Sequence, residues 1–142
     1  MANIRIVVAD RAKAVLYDAR SRRALPAEVA RVEAPTGKLA DREVNADKPG
    51  RHGNKLSGRH SYHIEQGPRR ERTMRFVRRI ARRLTQERRK GAFDSLVLMG
   101  PPRFLGTLRN ELDGPTHNLL AEVIAKELTD APPEVIRRQL GW

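Results

Sequence analysis

At 142 residues, 39% of them hydrophobic, the chain suits one domain with a modest core. Its 29 Lys and Arg against 17 Asp and Glu give a net charge of +12, more than solubility requires, and favour a polyanionic partner: RNA, DNA, the ribosome or an anionic membrane. The absence of cysteine excludes disulfides, zinc knuckles and thiol catalysis, and six aromatic residues are too few for a surface that stacks many bases.

The first apolar run is short and is broken by Arg5 and Asp10, so neither a signal peptide nor a membrane span is expected, and the expected compartment is the cytoplasm. "IRIVVAD", Ile4 to Asp10, reads as a buried β-branched strand. "KAVLYDA", Lys13 to Ala19, reads as its hairpin partner, with Asp10 bonding backbone NH groups in the turn. "AEVARVEA", Ala27 to Ala34, alternates charge with Val29 and Val32 and forms a third strand that Pro35-Thr36-Gly37 ends. The piece from Leu39 to Val44 either extends the sheet or lies along its edge. From about 46 to 67 the chain is polar, glycine-containing and without period, a loop of a length that compact domains use for function or leave disordered.

"PRRERTMRFVRRIARRLTQERRKG" is the clearest element. Pro68 suits a first helical turn and Gly91 a helix end. Thr73, Phe76, Val77, Ile80, Ala81 and Leu84 recur at spacings of three and four and make one apolar stripe. From Arg69 to Lys90 there are eleven basic and two acidic residues, so most of the excess charge sits on this helix. Like charges at i,i+4 repel by a few tenths of a kcal/mol, roughly, per pair, and an anionic partner relieves them. "FDSLVLMG" is a further buried strand, and "PPRFLGTLRNEL" a helix with Phe104, Leu105, Leu108 and Leu112 on one side. Thr116-His117-Asn118 suits the cap of a short turn, "AEVIAKEL" a strand, and the segment from Pro132-Pro133 a closing helix. The order predicts an α/β fold over 1–142: a single domain with a central mixed β-sheet flanked by helices.

Four kinds of chemistry are open to these residues. His52, His60 and His63 lie close together near Asp41, Glu43 and Asp47, but in no strong ligand spacing, so no metal is assigned. Asp10, Asp41, Asp47 and Asp94 are the carboxylates for a two-metal nuclease, set against strongly positive surroundings. The turn from "SLVLMG" into "PPRFLG" puts Arg103 at a strand-to-helix junction of the kind that binds anions, although its prolines lack NH donors. No phosphate-binding glycine motif is present, so neither a nucleotide cofactor nor a small-molecule substrate is expected. The loop with the arginine helix is the fourth candidate: a flexible arm on an electrostatic base that meets phosphates without reading sequence.

"LADREVNADKPGR", "LVLMGPPRFLGTLRNEL" and "KELTDAPPEVIRRQL" together resemble the bacterial family called host attachment proteins, across nearly the whole chain. The resemblance implies a role in attachment. That family is in turn similar to the middle domain of archaeal and eukaryotic translation release factors and of Pelota, which implies an α/β fold with some likeness to ribonuclease H. In release factors a Gly-Gly-Gln loop precedes a long basic helix. Here the corresponding place holds "KLSGRHSYHIEQGPRRERTMRFVRRIARRL", with Gly58, Arg59 and His60 at the tip; no Gly-Gly-Gln occurs and Gln66-Gly67 stand in another order. Ribosome or tRNA binding without peptide release is what the resemblance leaves.

The function expected is therefore non-enzymatic binding of the ribosome or structured RNA. Arg51, Lys55, Arg59 and His60 would serve from the loop, and Arg69, Arg70, Arg75, Arg78, Arg79, Arg82 and Arg83 from the helix. A host-cell attachment or envelope protein and a metal-dependent nuclease or hydrolase are the alternatives.

Overall fold

A computed structural model describes residues 3–34 and 67–140. The apolar run at the start becomes strand β1 (Ile4–Ala9), buried from Arg5 onward because both of its faces are covered. The turn after it is held by Asp10, whose Oδ1 accepts from the Ala12 and Lys13 NH groups at 2.7 and 2.9 Å while Oδ2 accepts from the Thr129 hydroxyl at 2.9 Å. Strand β2 (Lys13–Ala19) runs back antiparallel to β1, and β3 (Ala27–Glu33) pairs with β2 with a bulge at Leu16/Tyr17. The segment Leu39 to Val44, the Pro35-Thr36-Gly37 stop and residues 46–66 of the loop lie outside the described residues.

Helix α1 (Pro68–Arg89) starts at the expected proline. It ends where Gly91, at φ 75°, takes the left-handed conformation that closes a helix end, its NH bonded to the Arg88 carbonyl at 2.9 Å. Strand β4 (Ser95–Met99) then enters the sheet parallel to β1. Helix α2 (Pro102–Glu111) and the single turn α3 (Gly114–His117) lead to β5 (Leu120–Ile124), parallel to β4, and α4 (Pro133–Gln139) closes the domain. The sheet has the order β3-β2-β1-β4-β5 and is mixed, as predicted. Two local expectations are refined. The last strand stops at Ile124, and α3 is capped by Asp113, whose Oδ1 accepts from the Thr116 NH at 3.1 Å, with Thr116 itself inside the turn.

The period of two along each strand divides the core. Val7, Ala9, Leu16, Leu96 and Leu98 face the stripe of α1 and the apolar side of α2, where Phe76 and Phe104 meet with ring centroids 6.0 Å apart. Ile6, Val8, Val15, Val97 and Met99 face the other way, onto Ile136 and Leu140. Burial of Phe76, Val77, Ile80, Ala81 and Leu84 fixes the rotation of α1 and leaves its arginines on the outer faces. Among the described residues no helix is long and apolar enough to cross a membrane.

The end of β4 lies against the end of β1 so closely that a Cβ on Gly100 would stand 2.3 Å from the Ala9 carbonyl oxygen. Gly100→Ala is therefore expected to destabilise by about 1–3 kcal/mol, the usual penalty for forcing atoms into packed space. Gly106, with nothing within 4 Å of its added Cβ in the middle of α2, is the control. Gly106→Ala should stabilise by about 0.5–1 kcal/mol through helix propensity. Urea denaturation of both variants measures the contrast.

Candidate nucleic-acid interface

A helix with so many arginines has to do something with each charge, and α1 treats them in three ways. Some are tied to the domain's own acids. Arg88 donates from Nε to the Thr116 hydroxyl at 2.9 Å and from Nη2 to Asp113 at 3.4 Å, which staples the end of α1 to α3. Arg83 pairs with Glu87 one turn along at 2.9 Å, and Arg78 reaches Glu111 of α2 at 3.4 Å. Arg79 finds only a backbone acceptor, the Glu33 carbonyl at 3.0 Å. Arg69, Arg70 and Arg82 are exposed, and among the described residues no hydrogen bond or ion pair engages their guanidinium groups. Arg75 is half-buried and engaged.

These outward arginines line contiguous hollows along one side of α1. At its first turns, Arg69, Arg70 and Thr73 face Arg103 and Thr107 of α2 and Arg11 of the β1–β2 turn around a cavity of about 250 Å³. A neighbouring hollow of about 230 Å³ shares Arg11, Arg69 and Thr73 and adds Arg72, Arg75 and Arg79. Arg79 continues into a groove of about 540 Å³ between α1 and the edge strand β3, with Arg31, Arg82, Arg83 and Lys90 on its walls and Glu33 and Glu87 the acids there. At ~1.5 Å per residue, a helix of 22 residues carries this surface for about 33 Å.

The structure thus brings Arg69, Arg70, Arg75, Arg79, Arg82 and Arg83 to one basic surface, with Arg103 joined to its leading end. Arg78 sits across the helix, towards α2. Arg51, Lys55, Arg59 and His60, the loop half of the expected interface, lie outside the described residues, as do His52, His63, Asp41 and Asp47. Asp10 is the turn carboxylate. Asp94, accepting from the Asn3 NH at 2.7 Å, precedes β4 at the opposite end of the sheet, about 17 Å from Asp10 at ~3.3 Å per strand residue. Among the described residues no group of three or more His, Cys, Asp or Glu is placed to hold a metal ion.

Two arginines were not singled out from the sequence. Arg11 was hidden in a turn assigned to Asp10. Arg5 registered only as a break in an apolar run, yet it is 3% exposed and joins three elements. Its guanidinium donates to Asp18 of β2 and to Glu87 of α1, and it lies 5.1 Å from the centre of the Phe93 ring. Burial opposes the Arg5 charge, but the hydrogen bonds and charges of Asp18 and Glu87 outweigh it and hold its pKa above the ordinary arginine value. The available signal was the strand register: Arg5 and Asp18 are opposite each other in the hairpin.

The fold is an α/β domain whose mixed sheet presents one long cationic helix. Residues 5–140 match the family model described as "Protein required for attachment to host cells", and the chain belongs to that family. No curated protein sequence matches it. Among solved structures, an archaeal translation termination factor aligns over 97% of this chain at 15% identity with a TM-score of 0.49. A second, described as an archaeal protein, aligns over 97% at 13% identity with a TM-score of 0.47. The chain spans 36% of the length of each.

Removing Arg5 leaves two carboxylates facing an apolar wall. Arg5→Met is expected to cost about 3 kcal/mol, the low end of the range for a broken buried pair, because Asp18 and Glu87 keep 26% and 22% exposure. Adding Asp18→Asn and Glu87→Gln should recover part of the loss in the same denaturation assay. A second outcome concerns pH. The hydrogen bonds from Thr116, and then the Arg88 charge, hold the Asp113 carboxyl below its ordinary range against the opposing effect of burial. A depressed folded-state pKa stabilises above the unfolded value and is lost as pH falls through the folded one. Asp113→Asn, which keeps a capping oxygen, should be less stable than the parent at neutral pH. The two thermal melting curves should converge below the ordinary aspartate range.

Proposed function

We propose that this domain binds structured RNA, with the ribosome as the first target to examine, through the basic side of α1 and without catalysing a reaction. The observation that carries the reading is the set of exposed arginines left over after the domain's acids are used. Arg69, Arg70 and Arg82 have no internal partner among the described residues, and Arg79 has only a carbonyl. A run of guanidinium groups about 33 Å long, beside grooves rather than a flat face, suits phosphates spaced along a folded nucleic acid. It supplies affinity and register with little base recognition.

The family description favours a second reading. Attachment to host cells would bring the same surface against an anionic polysaccharide or lipid. Both readings are electrostatic, so the discriminating measurement compares ligands at matched salt.

Filter binding or sedimentation with ribosomes and with a structured RNA should show affinity falling ~10³–10⁵-fold between about 50 and 200 mM salt if roughly 6–10 phosphates are engaged. Arg79→Glu with Arg82→Glu should lower the salt slope by about 2, one unit per lost phosphate contact. The pair should change stability by only about 1 kcal/mol, the value of the Arg79 carbonyl bond. Failure to associate with ribosomes or RNA at low salt would sink the first reading. Retention on host-cell envelope polysaccharide instead would establish the second.

A further inference from the structure

We infer that the cavity between the first turns of α1 and α2 is a discrete site for a phosphate monoester, a group carrying two negative charges at the end of a molecule. Three separate elements converge there. Arg11 comes from the β1–β2 turn, Arg69 and Arg70 from α1, and Arg103 from α2. Among the described residues no carboxylate lines the cavity, and Glu71, the acid in the first turn of α1, is not on its wall. Four guanidinium groups held around one space of about 250 Å³ repel one another, and a dianion between them removes that cost.

The backbone adds to the charge. Neither α1 nor α2 has a side-chain cap at its start. The first intrahelical bonds are those from the Glu71 NH to Gly67 and from the Leu105 NH to Pro101. The NH groups ahead of them belong to Arg69 and Arg70 in α1 and to Arg103 and Phe104 in α2, and every one of these residues lines the cavity. Two helix starts therefore meet there, each favouring an anion. The prolines of the turn into α2 remove NH donors before Arg103, so the guanidinium groups do most of the holding. Thr107 donates its hydroxyl to the Arg103 carbonyl at 3.1 Å, whereas Thr73 has no such commitment among the described residues and is the hydroxyl ready for a phosphate oxygen.

Shape separates this site from the rest of the basic surface. The groove beside β3 is open along the helix and suits a backbone lying lengthwise. The cavity is closed by elements on three sides and suits a group entering end-on. A terminal phosphate has three outer oxygens and about twice the charge of a phosphodiester. It reaches the end of such a site, where an internal phosphate is held back by its second ester. The source is either the phosphorylated end of an RNA or a free nucleoside monophosphate. The site does not depend on RNA binding by the groove.

The test compares AMP, a 5′-phosphorylated short oligoribonucleotide and the same oligoribonucleotide with a 5′-hydroxyl, by calorimetry on the full chain. The proteins are the parent, Arg70→Gln, Arg70→Gln with Arg103→Gln, and Arg79→Glu with Arg82→Glu. A preference of about tenfold for the phosphorylated end, lost in the double glutamine variant and kept in the glutamate variant, supports the site with RNA as its source. AMP binding that the glutamine variants lose, without preference between the oligoribonucleotides, supports it with a free monophosphate as the source. Absence of both, or persistence of either in the glutamine variants, overturns it. Arg70→Gln alone decides the matter should the double variant fail to fold, since Arg70 has no partner among the described residues. Loss of all oligoribonucleotide binding with AMP binding intact would reject the RNA reading and leave the cavity standing.

Discussion

The packing of five side chains of α1 onto the sheet sets everything that the basic surface can do. Phe76, Val77, Ile80, Ala81 and Leu84 are almost fully buried, and the larger of them each gain about 1.5–3 kcal/mol from leaving water. Repulsion between like charges on the outer faces costs a few tenths of a kcal/mol, roughly, per i,i+4 pair. The stripe wins by a wide margin, so the helix forms and docks despite its charge. Its rotation is then not free. Once the stripe faces Leu16, Leu96 and Leu98, the arginines between the stripe residues have to point at β3, at α2 or at solvent.

The acids decide which arginines remain available. Glu87 sits at the last turn of α1 and serves two arginines, Arg5 from below and Arg83 from the helix itself. Glu111 and Asp113 stand at the end of α2 and the cap of α3, where they meet Arg78 and Arg88. These pairs lie on the α2 side and towards the C-terminal end of α1. The first turns and the β3 side carry few acids, which is why the exposed charge collects there. Position, more than number, turns a net charge of +12 into a located surface.

Much of this was legible in the sequence because periodicity speaks directly of burial. The strands Ile4–Ala9 and Lys13–Ala19, the start of α1 at Pro68 and its stop before Gly91 all follow from apolar spacing and from the two residues that punctuate helices. Family membership was legible too, carried by "PPRFLG" and the closing "LT..PPE" pattern. Partner choice was not. Nothing in the spacing of α1 says that Arg88 turns to Asp113 while Arg82 turns to none, since those acids lie 25 residues or more away in the chain. Arg5 illustrates the same gap: one charge in an apolar strand reads as an interruption until the register opposite it is known. Arg11 and Arg103 belong to turns that meet only after the parallel pairing of β1 and β4 is formed.

That pairing also explains why the cationic cavity lies where it does. In a parallel pair both strands deliver their chain to the same edge, so the turn after β1 and the turn after β4 emerge side by side. Gly100 allows the second turn to pass the Ala9 carbonyl without a side chain in the way. The close approach carries Pro101 and Pro102 to the start of α2 and sets Arg103 opposite Arg69 and Arg70. A residue with a Cβ at position 100 would push the turn away from β1 and open the cavity. The tightest steric contact in the sheet and the densest gathering of positive charge are thus two consequences of one backbone path.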